Sequence, residues 1–377
     1  MRPLSSKLAP IVPSATIEIT EKARRMQAAG TDVISLSIGE PDFPTPAHIT
    51  EACIDALRRG ETHYAPGKGI PELLAAIAEK IERENGFSCS PDEVIVGCGA
   101  KNSIYEACEA VLSPGDEAVI LDPSWVSYEP CVQIAGGVPV HYPLDADTFQ
   151  VGDNLLEKIS EKTRLLIINS PSNPSGSVLN KDSLRLVSDI CKDHDLIALS
   201  DEIYEYLIYG QSHISLGSLP GMAERTITVN GFSKGYAMTG WRLGYAVAHK
   251  DIIGYMNRVQ QHTISHPTTF AMYGAVAALK GPQDCVEEMR REFERRRTFI
   301  LNGLDGMGLS YAPADGAFYA YVKVEGDDAE VASRWLMDAH VAVTPGSAFH
   351  HPGWLRISYA AAMERLEAAM DRIKKIV

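Results

Sequence analysis

Through the middle of the chain, apolar residues come in short unbroken runs. Val94-Ile95-Val96, Ala118–Leu121, Leu165–Ile168, Ile197–Leu199, Thr226–Val229 and Tyr245–Val247 read as strands. Several are apolar at every position instead of every second one, the mark of strands covered on both faces. Helical spacing lies between most of them, as over Asn102 to Leu112, where Ile104, Cys108 and Val111 share a face. The alternation predicts an α/β fold whose large domain has a mostly parallel sheet sandwiched by helices.

The ends have a different rhythm. A proline-containing extended opening leads to a helical pattern over Ile17 to Ala29, stopped by Gly30. A strand over Val33–Ile38 follows, then a helix beginning at Thr45-Pro46, with the threonine as cap, and ending at Gly60. Another helix covers Pro71 to Asn85. Toward the C-terminus a long charged helix spans Gln283 to Gly303. An alternating strand over Ala317–Val324, a helix over Ala329–Ala339, strands at Val341–Val343 and Leu355–Tyr359 and a helix from Met363 to Ile376 complete the chain. This part reads as a smaller α+β domain. The expected division is a large domain over 46–284, with 1–45 and 285–377 forming an N-terminal arm and the small domain.

Composition narrows the function. A net charge of −14 argues against nucleic acid or an anionic membrane as partner, though not against a local anion pocket. No run approaches the roughly 18 apolar residues of a membrane span, and residues 1–20 show no apolar signal core. Seven cysteines without a CxxC pair read as free thiols of a cytoplasmic protein. His262 and His266 are four apart, but Pro267 follows and no third ligand is near, so no metal is expected.

Ligands of open α/β sheets bind beyond the carboxyl ends of the strands, and those ends carry a pointed set of residues. Gly97-Cys98-Gly99-Ala100-Lys101-Asn102 opens a helix whose bare amides suit a phosphate. It is equally readable as a tight turn, and it half-matches a dinucleotide fingerprint. Asp201 follows a buried strand and needs a cationic partner, either a structural Lys or Arg or a ligand's protonated ring nitrogen. Lys234 sits among Gly231, Ser233 and Gly235, open to a bulky group. Its amine is either a solvated surface cation or a nucleophile of lowered pKa. Arg242 suits a phosphate or a structural ion pair. Together with Trp125 and Tyr204 as stacking aromatics, these groups form the protein side of a pyridoxal-phosphate site.

The stretches "SLSIGEPDFPTP", "HYAPGKGIPEL", "SPSNPSG", "SDEIYEYLIY", "GFSKGYAMTGWRLGY" and "LRISYA" run the length of the chain. In type and order they resemble the class I, fold type I pyridoxal-phosphate aminotransferases, closest to the prokaryotic aspartate aminotransferase branch. The resemblance implies pyridoxal 5'-phosphate joined to Lys234 as a Schiff base, with Lys234 also shuttling the substrate proton. It implies Asp201 on the pyridine nitrogen, Asn173 and Tyr204 on the ring oxygen, and Trp125 stacked on the ring. Arg242, Ser233 and the turn Gly99–Ala100–Lys101 would take the phosphate. Arg356 would grip the substrate α-carboxylate beside Gly39, Asn173 and Trp125. Tyr64 would reach the phosphate in a partner subunit, which implies a homodimer with shared sites.

The chain departs from the pattern at Gly231, where the family often has a hydroxyl three residues before the lysine; Ser233 is a substitute. Lys101 stands where the related branch reads a distal carboxylate, which favours aspartate and 2-oxoglutarate. The same fold also serves aromatic, alanine and prephenate transamination and C–S lysis. A nicotinamide dehydrogenase built on Gly97–Lys101 leaves Lys234 and Arg242 unexplained. A regulator that only senses its ligand would carry a DNA-binding module ahead of "IGEPDF", which begins at residue 38.

Overall fold

The computed structural model describes residues 8, 9, 11 and 15–377, so most of the extended opening lies outside the described residues. Helix α1 (Ala15–Ala28), strand β1 (Ile34–Ser35) and helices α2 (Ala47–Arg58) and α3 (Pro71–Lys80) come first. Next come β2 (Val94–Gly97), α4 (Ala100–Val111), β3 (Glu117–Asp122), α5 (Tyr128–Ile134), β4 (Val138–Pro143), β5 (Thr163–Asn169), α6 (Lys181–Asp193), β6 (Ile197–Asp201), β7 (Thr226–Gly231) and β8 (Gly244–Val247). Helices α7 (Lys250–Thr263), α8 (Thr269–Lys280) and α9 (Asp284–Asp305) lead to β9 (Tyr319–Lys323) and α10 (Asp328–Asp338). The chain ends with β10 (Val341–Ala342), β11 (Thr344–Pro345), β12 (Trp354–Ser358) and α11 (Met363–Ile373).

The central sheet has the order β2-β8-β7-β6-β5-β3-β4. Its strands are parallel except β8, which runs antiparallel to both neighbours. The unbroken apolar runs have the expected cause. In β3 and β5, Ile120 and Ile167 point to the face covered by Ile104 and Cys108 of α4 and Val132 of α5. Val119, Leu166 and Ile168 point to the opposite face, against Leu184, Val187 and Cys191 of α6. Both sets are buried to within 2% of full cover, and each such aliphatic side chain contributes about 1.5–3 kcal/mol.

A second, antiparallel sheet, β11-β12-β9, packs with Phe293 and Ile300 of α9 and Leu366 and Ile373 of α11. Strand β1 pairs in parallel with β10, so the N-terminal segment joins the C-terminal part of the chain.

The structure departs from the sequence expectations in three places. The strand expected over Val33–Ile38 keeps only two residues, because its one partner, β10, is equally short. Thr45 does not cap α2: its hydroxyl donates to the Ala237 carbonyl at 2.8 Å and accepts from Trp241 Nε1 at 2.9 Å. Strand β4 was not expected. Two prolines interrupt its pattern, which an edge strand tolerates because one row of its amides lacks a ladder partner.

Candidate active site

The carboxyl ends of β5, β6 and β7 open onto a cavity of about 480 Å³. Its floor is Asp201, 4% exposed, at the end of β6. Tyr128 Oη donates to one carboxylate oxygen at 2.7 Å and the Ile203 amide to the other at 3.2 Å. Both donors are neutral, so burial dominates and pushes the Asp201 carboxyl up to about 6. Asn169 fixes the neighbouring backbone, donating to the Asp201 carbonyl at 2.9 Å and accepting from the Asn173 amide at 2.8 Å.

Lys234 follows β7 and its amine donates to the Gly39 carbonyl. Burial first, then Arg356 and Arg242, hold its ammonium down at about 8, against the pull of Glu40. Burial thus disfavours both charges of the site, the aspartate's and the lysine's, and such perturbed groups in a cavity mark a functional site.

At one end of the cavity, α4 begins at Ala100 with Gly99 before it. A helix leaves its first amides without internal partners and carries partial positive charge there. The Arg242 guanidinium lies against this turn, donating to the carbonyls of Thr239 at 2.7 Å and Cys98 at 3.3 Å. No carboxylate pairs with it among the described residues. Gly99 has φ +82°, and a Cβ there would come within 2.6 Å of Arg242 Nη2, so the contact requires glycine. Gly231 also has a steric reason. It faces Gly244 across β7 and β8, and an added Cβ would meet the Gly244 Cα at 2.9 Å, leaving no space for a hydroxyl-bearing side chain.

At the other end Arg356, 3% exposed on β12, donates to Asn173 Oδ1 at 2.8 Å and to the Ser37 carbonyl at 2.6 Å. Its Nε is buried without a partner, and its guanidinium lies 4.6 Å from the Tyr319 ring centre. Tyr319 Oη in turn meets Tyr204 Oη at 2.8 Å. Lys101 Nζ sits 4.8 Å from the Trp125 ring centre.

Behind the floor lies a buried charge network. Lys80, 1% exposed, donates to Glu205 and to Asn85 Oδ1, and Asn85 Nδ2 donates to Glu205 at 2.8 Å and to Glu202 at 3.2 Å. Glu202 also receives Ser200, Ser215 and His213. Since Glu202 follows Asp201 directly, the network anchors the end of β6 from behind. Lys80→Met leaves a buried carboxylate unpaired, and its expected effect is a loss of about 3–5 kcal/mol in urea unfolding; an unchanged midpoint would refute the anchoring role.

Of the residues singled out in the sequence, Lys234, Asp201, Tyr204, Ala100, Lys101, Trp125, Asn173, Ser233, Arg242, Gly39 and Arg356 all line this one cavity. Gly99 lies directly behind it under Arg242. Tyr64 does not line it; the residue is 92% exposed, and its ring stands perpendicular to that of His266, with centres 5.6 Å apart. Sequence reasoning missed Tyr128, Tyr319 and Asn169, and also Thr20, Glu21 and Arg24 of α1, which close one side of the cavity. Among the described residues no helix is long and apolar enough to cross a membrane.

Residues 31–373 match the family model "Aminotransferase class I and II". A probable aspartate/prephenate aminotransferase of Aquifex aeolicus is 43% identical over 99% of this chain and 98% of its own length. An aspartate aminotransferase of Pyrococcus abyssi is 45% identical with the same coverage. The solved aspartate aminotransferase of Thermus thermophilus with maleate superposes with a TM-score of 0.97 at 40% identity, covering all of both chains. Sequence, fold and the composition of the cavity agree: the chain belongs to the class I and II aminotransferases.

Proposed function

We propose that this aminotransferase uses pyridoxal 5'-phosphate to move the amino group of aspartate to 2-oxoglutarate. The observation that carries the cofactor reading is Asp201, a buried carboxylate served, among the described residues, only by neutral donors and set in one cavity with a lysine of lowered pKa. When bound, pyridoxal phosphate supplies an aldehyde that condenses with amines and a protonated ring that withdraws electrons from the substrate Cα.

The chain supplies the rest. Asp201 holds the ring nitrogen protonated, with Tyr128 and the Ile203 amide fixing the carboxylate. Arg242, Ser233 and the amides of Ala100 and Lys101 bind the phosphate, Trp125 covers the ring, and Asn173 and Tyr204 hold the ring oxygen. Arg356 takes the α-carboxylate bidentately, its orientation already set by Asn173 and Ser37. Lys234, its amine buried in the cavity, would take up and hold the substrate Cα proton. With its pKa lowered to about 8, the lysine is about one tenth free base at pH 7, against well under a thousandth for an ordinary lysine.

Tyr64, exposed on its own subunit, completes the phosphate end of a partner's site in a homodimer. We place the protein in the cytoplasm. The pairing of β1 with β10 supports grouping residues 1–45 with 285–377 around a large domain of 46–284.

The dicarboxylate reading rests on Lys101 beside Trp125, and on the Thermus relative, whose structure was solved with maleate, itself a dicarboxylate. Prephenate as amino acceptor is a second reading, favoured by the name of the Aquifex relative. In single-turnover reactions Lys101→Ala should lose about 10–100-fold on aspartate, the worth of a charge-assisted contact of about 1.5–3 kcal/mol, and little on alanine or phenylalanine. Equal losses on all three would reassign Lys101 to the phosphate.

A further inference from the structure

A second group of ionisable residues lies outside the cavity, at the edge of the central sheet. Glu129 of α5, His141 of β4 and His350, which follows the short turn Gly346–Phe349, each direct one ligand atom into a common space, all within 4.8 Å of one another. Glu129 Oε2 lies 2.9 Å from His350 Nε2 and 4.0 Å from His141 Nε2. The two imidazole rings are 4.2 Å apart, tilted by 33°. We propose that Glu129, His141 and His350 bind a divalent transition metal, zinc by preference.

Three features argue for it. First, the outward atoms of His141 and Glu129 are already held. His141 Nδ1 meets Asp122 Oδ2 at 2.8 Å, which leaves Nε2 as the lone-pair donor, and Gln133 donates to Glu129 Oε1 at 2.8 Å, which leaves Oε2. Metal-binding histidines carry such a carboxylate on the far nitrogen. Second, charge balance favours an ion. Two carboxylates, Asp122 and Glu129, surround two imidazoles, and filling the space with protons sets two imidazolium rings 4.2 Å apart. One divalent ion neutralises the cluster without that repulsion. Third, the spacing is close to what zinc needs. Donors about 2.0–2.2 Å from a tetrahedral ion lie about 3.4 Å from each other, so changes of under about 1.5 Å in the separations close the site and leave a fourth position for water. Nitrogen donors favour zinc over magnesium or calcium.

The other group of this kind among the described residues, Glu202, Glu205 and His213, already has Lys80 as its cation. The proposed ion would join β4 and α5 to the segment of His350. That segment also touches the Trp125 strand end, where the Ser124 amide donates to the Phe349 carbonyl at 3.2 Å. The metal therefore ties the wall carrying Trp125 to the segment leading into β12 and Arg356.

The test uses the tag-free full chain as purified, freed of metal by chelator and dialysis, with Co²⁺ as probe and no amino acid present. Visible d–d absorption should saturate at about one Co²⁺ per chain with tetrahedral intensity, Zn²⁺ should abolish it, and Zn²⁺ should raise the unfolding temperature. His141→Ala and His350→Ala should each lose both signals while keeping metal-free transamination. Glu129→Gln should weaken binding, and His262→Ala should change nothing. Absence of a band and of any thermal shift in the parent chain would overturn the proposal. So would undiminished binding in the His141→Ala/His350→Ala double variant. Neither the Co²⁺ band nor the thermal shift depends on the assignment of cofactor or substrate.

Discussion

Lys234→Ala leaves a folded chain that no longer transaminates. Loss of the proton shuttle alone removes about 10²–10⁴-fold in rate, and loss of the amine that joins the cofactor adds to it. The cavity tolerates the change, because among the described residues Lys234 holds one carbonyl, that of Gly39, and supports no other element through a hydrogen bond of its side chain. The measurement is the single-turnover half-reaction with aspartate, with circular dichroism to verify the fold. In the parent protein, borohydride should fix the yellow chromophore to Lys234, read by peptide mass spectrometry. A colourless protein, or reduction at another lysine, would refute the cofactor assignment at its root.

Asp201→Asn gives opposite results in two assays. The half-reaction slows by about 10³-fold, since a neutral amide cannot hold the ring nitrogen protonated. The ligand-free chain, in contrast, becomes more stable above pH 6. In the folded state the carboxyl ionises at about 6, against an ordinary value of 3.8. The folded state therefore favours the protonated form, and the penalty of keeping the charge buried is absent below pH 4, grows from 4 to 6 and is constant above. Asparagine has no such charge, so unfolding of the ligand-free variant shifts by up to about 3 kcal/mol at pH 8 and by only about 0.5 kcal/mol at pH 4. Equal stability at both pH values would show that the Asp201 carboxylate is not under strain. An active site that weakens the empty fold to hold a charge it needs is a known trade.

The strands of the sheet were legible because burial on both faces leaves a run such as Leu165–Ile168 with no polar residue. Strand β4 was not, since an exposed edge with Pro139 and Pro143 carries no such run. The charged members of the site could be read because a lysine among glycines or an aspartate after an apolar strand is conspicuous. Tyr128, Tyr319 and Asn169 are neutral, occupy ordinary positions in their own elements, and gain meaning only from partners 73, 115 and 32 residues away. The missing hydroxyl at Gly231 was legible as an absence, but its reason, the backbone of Gly244 facing it across the sheet, was not. The cluster of Glu129, His141 and His350 has no spacing signature at all, because β4 and the turn before β12 meet only in three dimensions.

The reversed direction of β8 has a geometric consequence. A loop that leads into a parallel neighbour must travel back to the far edge of the sheet, so it can offer the ligand edge only its first residues. The segment 232–243 leaves β7 and enters an antiparallel strand, so it begins and ends at the same rim. One stretch of backbone therefore forms two jaws of the same cleft, with Lys234 just inside one and Arg242 just inside the other. The span between amine and guanidinium is set by the width of adjacent strands and not by a flexible hinge. Tyr236 and Met238, between the jaws, are buried, so an insertion beside them would disturb the core, whereas a register slip of β8 would move Arg242 off the α4 turn while leaving Lys234 in place.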